Sequence, residues 1–81
     1  MNNSEVFKKV RDVIAETFNF PVSDIDRDTV ADDVSGWDSL SHTILMIRLQ
    51  TVLSIEIPES VAAESETVGE LSDALSAILS Q

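Results

Sequence analysis

The sequence contains no cysteine, which excludes a disulfide frame and a thiolate metal site and leaves packing as the source of stability. Only two glycines and two prolines interrupt it, while 43% of its residues are hydrophobic. So few breakers in so apolar a chain point to a folded, mostly helical domain and against disorder. No apolar run approaches the ~20 residues that span a bilayer, so no membrane insertion is expected. Helical periodicity begins almost at Met1; no signal peptide is expected, and the expected location is cytoplasmic. Basic residues are scarce, five against fifteen acids, for a net charge of −10. Such a surplus repels nucleic acid and anionic lipid alike and leaves basic partners open. Residues 1–20 sum to zero, 21–38 to −5, 39–55 to +1 and 56–81 to −6. The acid therefore flanks the most apolar stretch and is missing from it.

What is present reads as one domain, 1–81, because a chain of this length closes a single core and buries roughly 60% of its unfolded surface. That leaves no room for a deep enzyme cleft. Asn2 with Glu5 suggests a capping box, and Val6, Val10, Val13, Ile14 and Phe18 then recur at helical spacing, giving a first helix over about 3–18 with Lys8, Lys9 and Arg11 on its solvated face. Residues 19–38 form a long connection. Its scattered Phe20, Val22, Ile25, Val30 and Val34 predict an ordered loop pinned onto the core.

Asp38 is placed to cap a second helix from Ser39 to about Ser54, with Trp37 where a hydrophobic staple would sit. At 100° per residue, Leu45, Met46, Leu49, Val52 and Leu53 share one direction, and Leu40, Ile44, Ile47 and Thr51 the opposite one. A helix apolar on two sides is either covered on both or left partly open for another molecule. Pro58 predicts a short helical turn through Glu64, and Thr67 with Glu70 predicts a capping box for a last helix carrying Val68, Leu71, Leu75, Ile78 and Leu79. The fold class is all-α, a small bundle of three longer helices and one short one.

Three chemistries compete for the polar residues. Asp24-Ile25-Asp26-Arg27-Asp28 alternates oxygens like a calcium loop, but the sixth and twelfth positions, which need glycine and glutamate, are Thr29 and Ser35. No metal site is expected there. Asp38, Ser39 and His42 have the residue types of a hydrolase triad, yet they lie within one helical turn with nothing to mark a pocket, so no catalytic residue is assigned. The third reading takes Asp38 as a plain cap and Ser39 as an exposed hydroxyl beside the positive end of a helix dipole, where an attached phosphodiester is electrostatically favoured. The lone His42 reads either as a half-buried residue packed near Trp37 or as a contact for whatever Ser39 carries.

Asp38-Ser39-Leu40 at the start of the second helix, Ile55-Glu56-Ile57-Pro58 before the third and Thr67-Val68 before the last resemble the acyl carrier protein family, in element order over essentially the whole chain. The resemblance implies a four-helix acyl-carrier-like bundle with a long loop between helices one and two. It implies that Ser39 carries 4'-phosphopantetheine, added from coenzyme A by a phosphopantetheinyl transferase, and that the arm's thiol holds acyl groups as thioesters for partner enzymes in fatty-acyl, polyketide or related biosynthesis. It also implies a bundle core able to shelter an acyl chain, and a protein that is a substrate and partner of enzymes, itself no catalyst. Asp38 would cap the helix and help position the serine and magnesium in the transferase complex; for His42 the two readings, packing near Trp37 or contact with the phosphate or start of the arm, both stand.

Unlike the carriers of bulk fatty acid synthesis, residues 40–54 contain no acid and include Arg48. Leu40, Ile44, Ile47 and Arg48 are therefore the expected contacts for a loading ligase or acyltransferase and for ketosynthase-type or transferase enzymes. The Trp37-Asp38-Ser39-Leu40 form is similar to stand-alone carriers of specialised pathways, and a monomer is expected. An aminoacyl or peptidyl carrier would use the same arm; an unmodified helical adaptor would use Leu40, Ile44 and Ile47 as a groove for a partner helix.

Overall fold

The computed structural model of the protein describes residues 2–80; Met1 and Gln81, the ends of the expected 1–81 domain, lie outside the described residues. It is all-helical, with four helices in the expected order: α1 (Asn3–Phe18), α2 (Ser39–Leu53), α3 (Glu59–Glu64) and α4 (Val68–Leu79). Each long helix starts at the residue whose side chain can accept a free N–H of the first turn. Asn2 takes the Glu5 N–H at 2.9 Å, Asp38 the Ser41 N–H at 2.9 Å and Thr67 the Glu70 N–H at 3.1 Å. In place of the reciprocal bond to the Thr67 backbone N–H, the Thr67 hydroxyl donates to the Glu70 carboxylate at 3.4 Å, so the expected α4 box is present in its first arm. At the other end, Asn19 and Ser54 terminate α1 and α2 in the left-handed conformation, with φ of 50° and 56°.

Helix α1 packs against α4 and α2. The core is assembled from Val6, Val10, Val13 and Ile14 of α1, Leu45, Leu49 and Leu53 of α2, and Val68, Leu71 and Leu75 of α4. Fully burying a side chain of this size is worth roughly 1.5–3 kcal/mol. Short α3 lies against α4 and contributes the half-buried Val61 to the margin of the core.

The connection from 19 to 38 is ordered by two short 3-10 turns, Val22–Asp24 and Ala31–Asp33. Ile25 enters the core and Val34 is buried, as the pinned-loop reading requires, whereas Val22 stays 41% exposed. The loop's acids and polar residues shape its backbone. Asp26 Oδ1 accepts the Asp28 N–H at 2.8 Å, and the Thr29 hydroxyl accepts the Asp26 N–H at 2.9 Å. This closed turn presents two carbonyls to the start of α4: Thr29 O takes the Val68 N–H and Arg27 O the Gly69 N–H, both at 2.9 Å. The Arg27 guanidinium then reaches Asp73 on α4 at 2.6 Å and lies 6.0 Å above the Phe7 ring. The loop thereby caps α4 and delivers the chain to the beginning of α2.

Candidate functional site

The chain approaches α2 through a turn in which the Trp37 N–H donates to Val34 O at 3.2 Å. Its third residue, Gly36, has φ +90°, a conformation that disfavours any side chain. That turn sets Trp37 immediately before the cap. The indole stacks on Phe18 of α1, with centroids 5.3 Å apart and planes at 18°. Its Nε1–H donates to His42 Nδ1 at 3.0 Å, so the expected staple across the first turn is an indole–imidazole hydrogen bond where an apolar contact would be usual. His42 is half-buried and packed beside Trp37, at a ring separation of 6.0 Å.

With its first turn fixed by Trp37 and Asp38, α2 presents Ser39 as its first residue, exposed to solvent. The Asp38 carboxylate accepts from both the backbone N–H and the hydroxyl of Ser41, which holds its pKa below the usual aspartate value. Asp38 is thus a charged cap, and the positive end of the helix adds to the same preference for negative charge. Around Ser39 lies an open depression of about 360 Å³, walled by Ala31, Trp37, Asp38 and His42. On the other side of His42 a groove of about 370 Å³ runs between α2 and α3, past Met46, Ile47, Gln50, Ile57 and Ala62. In the lining of this groove the Gln50 side-chain oxygen accepts the Ile57 N–H at 2.9 Å, tying α2 to the segment before α3. Exposed beside this open depression, Ser39 fits an ester-linked substituent.

A family model described as the phosphopantetheine attachment site matches residues 8–75. An acyl carrier protein of Porphyromonas gingivalis is 34% identical over 70 residues, covering 86% of this chain and 90% of its own. The chain belongs to the acyl carrier protein family. An acyl carrier protein of Borreliella burgdorferi is 35% identical over 71 residues, 88% of this chain and 89% of the relative. Among solved structures, the acyl carrier protein of Enterococcus faecalis superposes with a TM-score of 0.75 at 26% identity, covering 95% of this chain and 98% of that one. The HMG-ACPI domain of the CurA module from Lyngbya majuscula agrees in fold, with a TM-score of 0.83 at 24% identity over 98% of this chain and 79% of that one. The protein is accordingly a phosphopantetheine-bearing acyl carrier and not an enzyme. Among the described residues no helix is long and apolar enough to cross a membrane.

The expected partner residues separate into two groups. Leu40, Ile44 and Ile47 form one outward face of α2, with 73%, 48% and 56% of their surfaces exposed. Arg48 instead turns toward α1, where its guanidinium is 3.7 Å from the Glu16 carboxylate. Val52, grouped with the core by helical phase, is 46% exposed and corrects that expectation. By phase it sits at the edge of the arc centred on Leu45, Leu49 and Leu53, which are buried. Sequence reasoning missed Arg27 and Asp73, whose pairing spans 46 positions and carries no local pattern.

Proposed function

We propose that Ser39 is the residue that carries 4'-phosphopantetheine, and that the carrier presents acyl groups to the enzymes of a fatty-acyl, polyketide or related specialised pathway. One observation carries the reading: an exposed serine opens α2, beside a charged cap and an open depression, in a chain whose family model is defined by phosphopantetheine attachment. Attachment forms a bond between Ser39 Oγ and the phosphorus of coenzyme A nearest the pantetheine. The hydroxyl proton is lost, the phosphoanhydride bond breaks, and adenosine 3',5'-bisphosphate leaves. Once bound, the group supplies a terminal thiol that holds the cargo as a thioester, which a cysteine-free chain cannot provide itself. In the transferase complex Asp38 holds the first turn of α2 in place and offers a carboxylate oxygen for magnesium.

The outward face of Leu40, Ile44 and Ile47 is the surface for the transferase, for a loading ligase or acyltransferase and for ketosynthase-type partners, with Arg48 at its margin. The carrier works in the cytoplasm as a monomer, as one domain over 1–81.

Incubation with coenzyme A, magnesium and a broad-specificity phosphopantetheinyl transferase should raise the intact mass by one phosphopantetheinyl group, and Ser39→Ala should abolish the increase. An unchanged wild-type mass, or an increase that survives the substitution, contradicts the proposal. The first of those outcomes would favour an unmodified helical adaptor. Loading the same arm with an amino acid in preference to an acyl group would favour the aminoacyl or peptidyl carrier.

A further inference from the structure

The chain's single tryptophan and single histidine are bonded to each other at the entrance to α2. Indole nitrogen is only a donor, so His42 Nδ1 must offer its lone pair, and the neutral imidazole then carries its proton on Nε2. Phe18, stacked on the other side of the indole, holds the donor itself in place. Both the position and the tautomer of the imidazole are therefore set by its neighbours. Among the described residues no acceptor takes the Nε2–H. His42 is also the side chain common to the depression beside Ser39 and the groove between α2 and α3. Any group leaving Ser39 toward that groove passes the ring.

We infer that His42 is a hydrogen-bond donor to the arm, its Nε2–H meeting an acceptor oxygen there, and that Trp37 is the positioning residue that creates this donor by holding the tautomer. The inference rests on attachment at Ser39. Residues 39 and 42 are one helical turn apart, with Cβ atoms about 5–6 Å from each other, so the first atoms of a substituent on Ser39 fall within reach of the imidazole. Among the acceptors at the start of such an arm are the phosphodiester oxygens and the nearest amide carbonyl. The anionic group makes the stronger bond. Either contact turns the arm back along the protein and toward the groove, in place of leaving it free in solvent.

The test compares protein carrying nitrogen-15 histidine before and after loading, with intact mass confirming the arm. Long-range proton–nitrogen spectra should show the Nε2–H tautomer in both states, and loading should shift Nε2 and slow exchange of its proton. The phosphorus-31 resonance, and the carbon-13 resonance of a labelled amide in the arm, identify which oxygen is engaged by differing between loaded wild type and loaded His42→Ala. Trp37→Phe keeps a ring on Phe18 and removes the indole donor; it should give mixed tautomers and lose the loading shift. Ring signals identical in unloaded and loaded protein overturn the inference and leave attachment at Ser39 standing. Failure to load overturns both. A Trp37→Phe protein with an unmixed tautomer and an intact loading shift removes the role given to Trp37.

Discussion

Asp38 is a charged cap, and its protonation state is coupled to the stability of the fold. Because acceptance from the Ser41 N–H and hydroxyl lowers its pKa in the folded protein, its contribution to stability is fully present above the ordinary aspartate range. That contribution is lost as pH falls from about 4 through the lowered folded value. Asparagine caps a helix nearly as well and does not titrate. The melting temperature of the wild type should therefore exceed that of Asp38→Asn at neutral pH, with the gap closing on acidification. A gap that stays constant down to acid pH would show that the charge adds nothing to the cap. Ser39, one residue on, is exposed while its neighbour on the other side of the cap, Trp37, is held by stacking on Phe18 and by the hydrogen bond from its Nε1–H to His42. That division, a fixed frame beside a free hydroxyl, is what an attachment point requires.

At the scale of elements, the helices were legible because their signals are local. The cap residues Asn2, Asp38 and Thr67 and the spacing of Val6 to Phe18 or Val68 to Leu79 involve neighbours within one or two turns. The second apolar face of α2 was legible too, but its fate was not. Only the placement of α1, α3 and α4 decides that Leu40, Ile44 and Ile47 stay open while Leu45 and Leu49 are wholly buried. The attachment of the loop to α4 depends on partners tens of residues apart and left no trace in the pattern. Gly69 tests that attachment. Helix propensity alone would favour alanine there by about 1 kcal/mol. A Cβ at Gly69 would lie 2.9 Å from the Arg27 carbonyl oxygen and 3.0 Å from the Arg27 Cβ, however, and that carbonyl is the one accepting the Gly69 N–H. Gly69→Ala should lower stability by about 1–3 kcal/mol in urea unfolding, as overpacking against a fixed backbone does. A variant as stable as the wild type or more so would mean that the loop is free to move away.

Across the whole molecule, charge and apolar surface are segregated. A net charge of −10 surrounds a helix whose residues 39–53 include no acid, so a partner docking on Leu40, Ile44 and Ile47 meets a greasy centre before it meets carboxylates. Contact of this kind is screened little by salt, unlike docking through ion pairs. With the transferase as partner, replacing Ile44 and Ile47 together by alanine should reduce kcat/KM by about tenfold, the cost of removing a central apolar contact. Raising the salt should change the wild-type value far less than the substitution does. A steep fall with salt and little response to the double substitution would move recognition to the flanking acids.

The account depends on one oxygen among several serine hydroxyls, with Ser35 and Ser41 close by in sequence. Fragmentation of the loaded protein, read residue by residue in the mass spectrometer, locates the added group directly. The phosphopantetheinyl mass is predicted on Ser39, and its appearance on Ser35, Ser41 or any other residue would contradict the assignment.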